Sequence, residues 1–231
     1  MRPLHLFQDR RDAGRNLAAA LRGFRGRPGV VVLGLPRGGV PVADEVARAL
    51  GAPLDVFTVL KLGVPGDPEV AMGAIATDGT CVLDGMTIAL AGVTPAEVEA
   101  TRQRAAAELV RREQLFRGAR PPVDVSGSVV IVVDDGMATG ATMRAAVLAL
   151  RQRDAREIIV AVPVGSTEAC SALAAIADDC VCLATPLPFV GVGLWYGDFS
   201  QTDDAEVRDI LEAASELLPE AAAGARAHLA Q

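Results

Sequence analysis

Two adjacent carboxylates, Asp134 and Asp135, directly follow an apolar stretch that reads as a buried strand. Each of two neighbouring negative charges disfavours the ionisation of the other, and burial adds to the cost, so a cation or hydroxyl donors are expected to meet them. Small residues come next and enter a helix, whose N-terminus carries about half a positive charge and binds phosphate. These small residues are Ala138, Thr139, Gly140, Ala141 and Thr142. Acids followed by a phosphate cradle predict a site for a phosphorylated sugar.

Two other interpretations of the string Val132–Thr142 were considered. A P-loop requires Lys and then Ser or Thr after its second glycine, whereas Ala141 and Thr142 follow Gly140 here, so that interpretation is excluded. A lone Asp-Asp-Gly is also typical of a strand that ends in a solvated turn with a helix cap. The complete string of eleven residues favours a ligand site over such a turn.

A second glycine turn lies about a hundred residues earlier in the chain. It contains Pro36, Arg37, Gly38 and Gly39. Glycines let the backbone approach an anion closely, and the guanidinium of Arg37 adds a fixed positive fork just before a helix. The same four residues also form ordinary turns when they stand alone. Together with the acidic string, they predict a second anion-binding loop.

The string Val132–Thr142 resembles the phosphoribosyl diphosphate (PRPP) binding motif of the type I phosphoribosyltransferases, in which four apolar residues, two acids and several small residues precede Thr-Gly-x-Thr. The resemblance implies that Asp134 and Asp135 contact the ribose hydroxyls, directly or through Mg²⁺. It also implies that residues 138–142 wrap the 5-phosphate. The earlier turn occupies the place of the family's pyrophosphate loop, so Pro36, Arg37, Gly38 and Gly39 are expected to bind pyrophosphate.

Lys61 is the only lysine among the 22 basic residues of the chain. It stands at the end of a predicted strand, ahead of a loop rich in Gly and Pro. A flexible ammonium at that place could follow a departing pyrophosphate in a way that a rigid guanidinium does not. The alternative is the chance survival of one lysine in an arginine-rich chain.

The segment Pro186–Gln201 holds four of the eight aromatic residues, namely Phe189, Trp195, Tyr196 and Phe199. Aromatic faces stack on planar bases, whereas a late core patch or a dimer contact is the alternative. The segment resembles the hood of the purine phosphoribosyltransferases, in which an aromatic residue followed by valine recognises the base. Phe189 and Val190 match that pair, and Trp195 and Tyr196 are further candidates for base binding. The family places an acid near the end of its hood motif, whereas the first acid in this segment of the chain is Asp198.

Apolar, β-branched runs alternate with amphipathic helical patterns along the chain. The predicted strands are Gly29–Leu33, Leu54–Leu60, Ser128–Val133, Glu157–Val162 and Cys180–Ala184. The predicted helices are Ala13–Phe24, Val40–Leu50, Thr94–Phe116, Met143–Arg153, Ser166–Ala177 and Asp203–Leu218, with Gly63–Gly79 as a long loop or hairpin. This alternation predicts an α/β fold in which a parallel sheet is flanked by helices. Both glycine turns then meet at the carboxyl edge of the sheet, where ligands bind.

The chain of 231 residues is the size of one domain of ordinary length or two small ones, and the segment Gly118–Gly127 reads as a connection inside a single domain. The resemblance covers about Gly29–Gln201 and implies a type I phosphoribosyltransferase-like fold. We expect a single domain over residues 1–231, with a core at about 28–185. A small C-terminal hood is expected at about 186–217, to which the N-terminal helix can contribute.

Composition argues against several other classes of protein. Acidic residues outnumber basic ones by 29 to 22, and the net charge of −7 disfavours nucleic acid as a main partner. We find no apolar run of membrane-spanning length and no signal-peptide core, so a cytoplasmic protein without membrane contact is expected. The four cysteines form no Cys-x-x-Cys pair, and the two histidines, His5 and His228, stand near the chain ends. Zinc sites and histidine-based nucleophile systems are therefore disfavoured.

The resemblance implies a transferase in which a nitrogen nucleophile, expected to be a nucleobase, displaces pyrophosphate from Mg²⁺-bound PRPP. Mg²⁺ is then the cofactor, PRPP and a small-molecule acceptor are the partners, and a homodimer is a further expectation. The expected catalytic residues are Arg37, Lys61, Asp134 and Asp135. Two alternatives stay open, a regulator that binds PRPP without turnover and an α/β hydrolase that places water where the base would sit.

Overall fold

The computed structural model describes residues 5–76, 79–118 and 120–217. In chain order its strands are β1 (Val30–Gly34), β2 (Leu54–Val56), β3 (Val59–Val64), β4 (Asp67–Ala76), β5 (Cys81–Leu83), β6 (Val129–Val133), β7 (Glu157–Val164) and β8 (Asp179–Ala184). The helices are α1 (Arg10–Ala20), α2 (Gly39–Leu50), α3 (Gly85–Leu90), α4 (Pro95–Arg117), α5 (Ala141–Gln152), α6 (Thr167–Ala174) and α7 (Asp204–Leu217). Within these ranges we find no helix that is both long and apolar enough to cross a membrane.

Five of the strands form a parallel sheet with the order β2-β1-β6-β7-β8. Each strand runs parallel to its neighbours, and Val30–Gly34 pairs residue for residue with Val129–Val133. Both of these strands are buried along their whole length, because their apolar runs are covered on the two faces of the sheet. The predicted α/β fold, a parallel sheet flanked by helices, is confirmed.

Successive residues of β6 point to opposite faces of the sheet. Val130 and Val132 belong to one buried cluster with Leu150 of α5. Ile131 belongs to a second cluster, on the face that α1 and α2 cover, together with Leu17. Full burial of one such aliphatic side chain stabilises the fold by roughly 1.5–3 kcal/mol. The carboxyl ends of β1 and β6 are therefore anchored in a packed core on both sides.

The prediction of one strand over Leu54–Leu60 is wrong. β2 ends at Val56, and the chain passes through buried Phe57 and Thr58 into β3, which belongs to a separate antiparallel sheet of order β3-β4-β5. Phe and Thr both favour extended structure, so the sequence shows no break at this point. The hairpin predicted after Gly63 is formed by β3 and β4.

We call the antiparallel sheet and α3 together the flap. The sequence predicted Gly63–Gly79 as a long loop or hairpin but did not predict a second sheet. It has a small buried core of its own, completed by one residue of α4. This core contains Leu62, Val64, Met72, Ile75 and Leu109.

Helix α1 begins at Arg10 rather than at the predicted Ala13. Asp9 caps the helix, and its side chain accepts a hydrogen bond of 2.7 Å from the N–H of Asp12. The regular helix ends at Ala20, and a short 3-10 turn follows it. The earlier start brings one more turn of this helix, with its first arginine, towards the carboxyl edge of the parallel sheet.

Helix α7 begins at Asp204, one residue after the predicted start. Asp203 caps this helix, because its Oδ1 accepts a hydrogen bond of 2.8 Å from the N–H of Glu206. The predicted end of this helix at Leu218, and His228, lie outside the described residues.

Candidate active site

The acid pair lies at the carboxyl end of β6, between β1 and β7 of the parallel sheet. The N–H of Asp134 donates to the carbonyl of Ala161 in β7 at 3.4 Å, which continues the strand pairing up to the acid. The N–H of Asp135 donates to Oδ1 of Asp134 at 2.8 Å. The backbone of adjacent strands, rather than a long loop, therefore places both carboxylates.

Burial raises the pKa of both acids, and the neighbouring charge of Asp135 raises the pKa of Asp134 further, well above its ordinary value. Arg10 acts in the opposite direction on the pKa of Asp135, through a hydrogen bond and its charge. The pair is thus a half-buried site at which a positive charge would favour the ionised acids.

The donor set of the acid pair fits Mg²⁺, because this cation prefers oxygen ligands and is commonly bound by one or two carboxylates together with substrate phosphates. Asp134 and Asp135 would hold it, directly or through water and ribose hydroxyls. In the described part of the chain we find no cluster of three or more His, Cys, Asp or Glu residues that could hold a metal. A cation at this pair would therefore take its remaining ligands from substrate or water.

The turn Pro36–Gly39 lies directly against the acid pair. A Cβ on Gly38 would overlap Oδ2 of Asp135, and a Cβ on Gly39 would lie 2.7 Å from the carbonyl oxygen of Val133. The Pro36–Arg37 peptide within the turn is cis. Any side chain at either glycine would push the turn away from the acids, so the close approach predicted from the two glycines has a structural reason.

Arg37 extends from the same turn and is partly exposed. Its Nη1 lies 3.6 Å from Oδ1 of Asp204, at the start of α7. The two side chains are 39% and 49% exposed, and exposed ion pairs of this kind contribute only about 0–1 kcal/mol. An anionic ligand in the turn can therefore replace Asp204 as the partner of Arg37 at little cost.

The loop after the acids opens onto the N-terminus of α5. Gly140 has a φ of +73°, a left-handed conformation that favours glycine, and α5 begins at Ala141 without a side-chain cap. Ser166 supports the loop from the neighbouring connection, since its Oγ donates to the carbonyl of Ala138 at 2.7 Å. Around the uncapped helix end the exposed residues are Ala138, Thr139, Ala141 and Thr142. Such a helix terminus has the geometry that binds phosphate.

The hood segment folds back against the acid pair. The buried Tyr196 donates its hydroxyl hydrogen to the carbonyl oxygen of Asp135, and burial raises the pKa of that hydroxyl, which keeps it protonated. Val192 packs against Gly136, directly after the acids. Val192 and Tyr196 therefore support the backbone next to the acid pair.

The four predicted base-binding residues have different surroundings. Tyr196 is engaged with the acid pair, and Trp195 is half-buried in a small apolar cluster that includes Phe7. Phe189 is half-buried against the same cluster, as Trp195 is, and Val190 is 74% exposed. Val190, and in part Phe189 and Trp195, therefore have surface that a planar base can contact.

Arg10 is a residue of this site that sequence reasoning missed. Its Nε lies 2.8 Å from Oδ2 of Asp135, its Nη1 donates to the carbonyl of Ser200 at 2.6 Å, and its guanidinium lies 4.0 Å from the ring centroid of Phe199. One signal was available. A cation is unfavourable at the positive end of a helix, so an arginine directly after the capping Asp9 suggests a partner elsewhere.

Lys61 lies in β3 of the flap rather than on the parallel sheet. Its Cα pairs with Ala74 of β4, and its side chain is exposed. Together with Arg104 and Glu108 of α4 it lines a groove of about 500 Å³. The structure thus brings the acid pair and the turn Pro36–Gly39 together, with the start of α5 following the acids in the chain, and it places Lys61 on a separate element.

The acid pair, the turn Pro36–Gly39 and the loop 137–142 form what we call the acid edge. A five-stranded parallel sheet between helices with this edge defines an α/β protein of the phosphoribosyltransferase type. Residues 8–194 match the family model described as phosphoribosyl transferase domain, and the chain belongs to this family.

Named relatives agree with this assignment. Two Mycobacterium tuberculosis proteins, from strains CDC 1551 and H37Rv and each named "Putative phosphoribosyl transferase", are 46% identical over 220 residues, which is 95% of this chain and 49% of each relative. The chain therefore spans about half the length of the curated relatives it matches. The crystal structure of TT1426 from Thermus thermophilus is 45% identical and has a TM-score of 0.81, covering 89% of this chain and 97% of that one.

Proposed function

We propose that this protein displaces pyrophosphate from Mg²⁺-bound PRPP by means of a nitrogen nucleophile, expected to be a nucleobase. One observation carries the proposal: the backbone of Gly38 and Gly39 lies directly against Asp134 and Asp135. A pyrophosphate loop and a pair of hydroxyl acceptors are thereby adjacent, with the uncapped start of α5 following in the chain. PRPP carries a pyrophosphate, two ribose hydroxyls and a 5-phosphate, and the acid edge offers one element for each.

In the proposed reaction, a bond forms between the acceptor nitrogen and the anomeric carbon while the bond to pyrophosphate breaks. The leaving group takes the electron pair, so positive charge develops on the sugar. The acids at the end of β6 hold the ribose hydroxyls, and the backbone and guanidinium of the turn Pro36–Gly39 receive the pyrophosphate. Mg²⁺, when bound, supplies charge neutralisation of the pyrophosphate.

Catalysis would rest on positioning and on charge stabilisation rather than on a covalent intermediate. Positioning of two reactants can lower a barrier by roughly 7–11 kcal/mol. The proposed chemistry needs no histidine. We propose that Lys61 joins the site from the flap and follows the departing pyrophosphate.

We further propose that residues 186–217, with a contribution from the N-terminal helix, form the hood of a single domain whose core spans about 28–185. The contacts between Phe7 and Tyr196 and between Arg10 and Phe199 support that contribution. Phe189 and Val190 are the proposed base contacts, because they keep surface outside the apolar cluster. The net charge of −7 supports a small-molecule acceptor rather than nucleic acid.

Pyrophosphate release tests the proposal, measured with PRPP and Mg²⁺ in the presence and absence of a panel of purines and pyrimidines. Release that depends on a base supports transfer, and release that does not depend on one indicates hydrolysis. Binding of PRPP without any release indicates a regulator. Asp134→Asn combined with Asp135→Asn should abolish the signal, whereas Asp209→Asn, at a side chain that is 73% exposed, is the matched control.

A further inference from the structure

The guanidinium of Arg10 contacts three separate parts of the molecule. Nε lies 2.8 Å from Oδ2 of Asp135 in the acid edge, and Nη1 donates to the carbonyl of Ser200 at 2.6 Å. The group lies over the ring of Phe199, 4.0 Å from its centroid. The Arg10 and Asp135 side chains are only 12% and 15% exposed. The ion pair is therefore mostly shielded from water. Charge-assisted hydrogen bonds are stronger at such a shielded place than on the surface.

The contact between Arg10 and Asp135 involves the same carboxylate oxygen that faces the turn Pro36–Gly39. A Cβ on Gly38 would overlap Oδ2 of Asp135 and would lie 3.0 Å from Nε of Arg10. The other acid is held in a similar way, because Oδ1 of Asp134 accepts the N–H of Asp135. Each carboxylate thus has one oxygen held by the protein, which leaves its second oxygen for a ligand.

The place of Arg10 in its helix does not explain its presence. It is the first residue of α1, after the capping Asp9, and a cation at this end of a helix is unfavourable. Arg15 of the same helix has an ordinary surface role, since it is 55% exposed and lies 3.6 Å from Asp12 and 3.8 Å from Glu45. A planar guanidinium also has donors that point in fixed directions, so it loses less rotamer freedom than an ammonium when it holds Asp135 and Ser200 at once.

We propose that Arg10 is a positioning residue for PRPP, which holds Oδ2 of Asp135 so that Oδ1 is presented to a ribose hydroxyl. Its contacts to Ser200 and Phe199 tie the hood segment to the same point. This inference rests on the proposed function, because it names the residue that orients one of the two hydroxyl acceptors. Arg10 does not touch the reacting atoms and acts through Asp135.

Arg10→Ala should weaken the binding of PRPP with Mg²⁺, measured by calorimetry, by about tenfold or more, since a charge-assisted hydrogen bond is lost. In steady-state kinetics the KM for PRPP should rise while the KM for the acceptor stays unchanged. Arg15→Ala is the matched control and should bind PRPP within about twofold of the wild type. Arg10→Lys keeps the charge without the fork and should give an intermediate affinity. Circular dichroism and melting temperature establish that each variant is folded.

A double-mutant cycle with Asp135→Asn separates positioning from a merely structural role. If Arg10 acts through the carboxylate of Asp135, Arg10→Ala should change PRPP affinity by less than about threefold in the Asp135→Asn background. Equal losses in both backgrounds would overturn the inference, because they would mean that Arg10 acts on folding or on the hood alone. Should Arg10→Ala fail to fold, Arg10→Lys replaces it in the cycle.

The outcomes for this inference and for the proposed function are distinct. A wild-type protein that does not bind PRPP overturns both. A wild-type protein that binds PRPP, with an Arg10→Ala variant of equal affinity, overturns the role of Arg10 alone. Both are supported if Arg10→Ala weakens PRPP binding in the otherwise wild-type protein but makes little difference to PRPP binding in the Asp135→Asn background.

Discussion

The acid edge and the flap position their candidate residues in different ways. At the acid edge, Asp134 and Asp135 continue a fully buried strand. Gly39 lies against Asp134, and Gly38 and Arg10 lie against Asp135. The flap has its own small core and presents Lys61 on an exposed strand position. The residues proposed to bind PRPP in one geometry lie on the packed sheet, whereas the residue expected to follow a leaving group lies on a separate element. Binding and turnover should therefore be separable by mutation.

The largest effect is expected at the acid edge itself. Asp134→Asn combined with Asp135→Asn should lower the affinity for PRPP with Mg²⁺ by about a hundredfold or more, because two charged acceptors are lost together. The fold should persist, since Asn preserves the shape of both side chains. Calorimetry measures the affinity, and circular dichroism measures the fold. Unchanged affinity would remove the acids from the binding site.

A methyl group at the turn should have the next largest effect, although it removes no charge. The Cβ of Gly38→Ala would overlap Oδ2 of Asp135, so either the turn or the acid must move. PRPP affinity should fall by about tenfold or more, as expected for a misplaced charged hydrogen bond. Gly23→Ala is the matched control, because a Cβ at that position meets no atom within 4 Å. Equal affinity of the two variants would contradict the tight contact between turn and acid.

Lys61 tests the flap side of the comparison. Lys61→Ala should lower turnover by about tenfold while PRPP affinity changes little, because the ammonium is proposed to stabilise the leaving group rather than the bound substrate. Lys61→Arg keeps the charge and should recover turnover only in part. Single-turnover kinetics measures the turnover rate, and calorimetry measures the PRPP affinity. Equal turnover in all three proteins would mean that the single lysine has no catalytic role.

The smallest effect concerns stability without any ligand. Burial raises the pKa of Asp134 above its ordinary 3.8, so the folded protein loses stability as pH rises from that value through the folded pKa. Asp134→Asn should therefore be more stable than the wild type near neutral pH when EDTA is present. Below about pH 3.8 this difference should vanish, since the carboxyl is then protonated in both states. Urea unfolding at about pH 3 and about pH 7 provides the check, with Asp209→Asn as the control.

The sequence was sufficient for the parallel sheet and the acid edge because both depend on local patterns. The apolar run before Asp134 predicts a buried strand, and Gly38, Gly39 and Gly140 mark turns whose backbone needs close approach or a positive φ. Such signals lie within a few neighbouring residues. They can therefore be recognised in a single sequence without any structural context.

The flap and the contacts of Arg10 depend on tertiary structure. Phe57 and Thr58 are both compatible with a strand, so the passage from the parallel sheet into the flap leaves no local mark. The partners of Arg10 lie 125 and 190 residues away in the chain. The hydroxyl of Tyr196 likewise donates to the carbonyl of Asp135, a contact that aromatic composition does not predict.

A crystal structure of the protein with PRPP and Mg²⁺ tests the central claim most directly. We expect the ribose hydroxyls on Asp134 and Asp135, the pyrophosphate against the backbone of Gly38 and Gly39, and the 5-phosphate at residues 138–142. Density for PRPP at any other place, or no bound PRPP in crystals whose acid edge is open to solvent, would contradict the account.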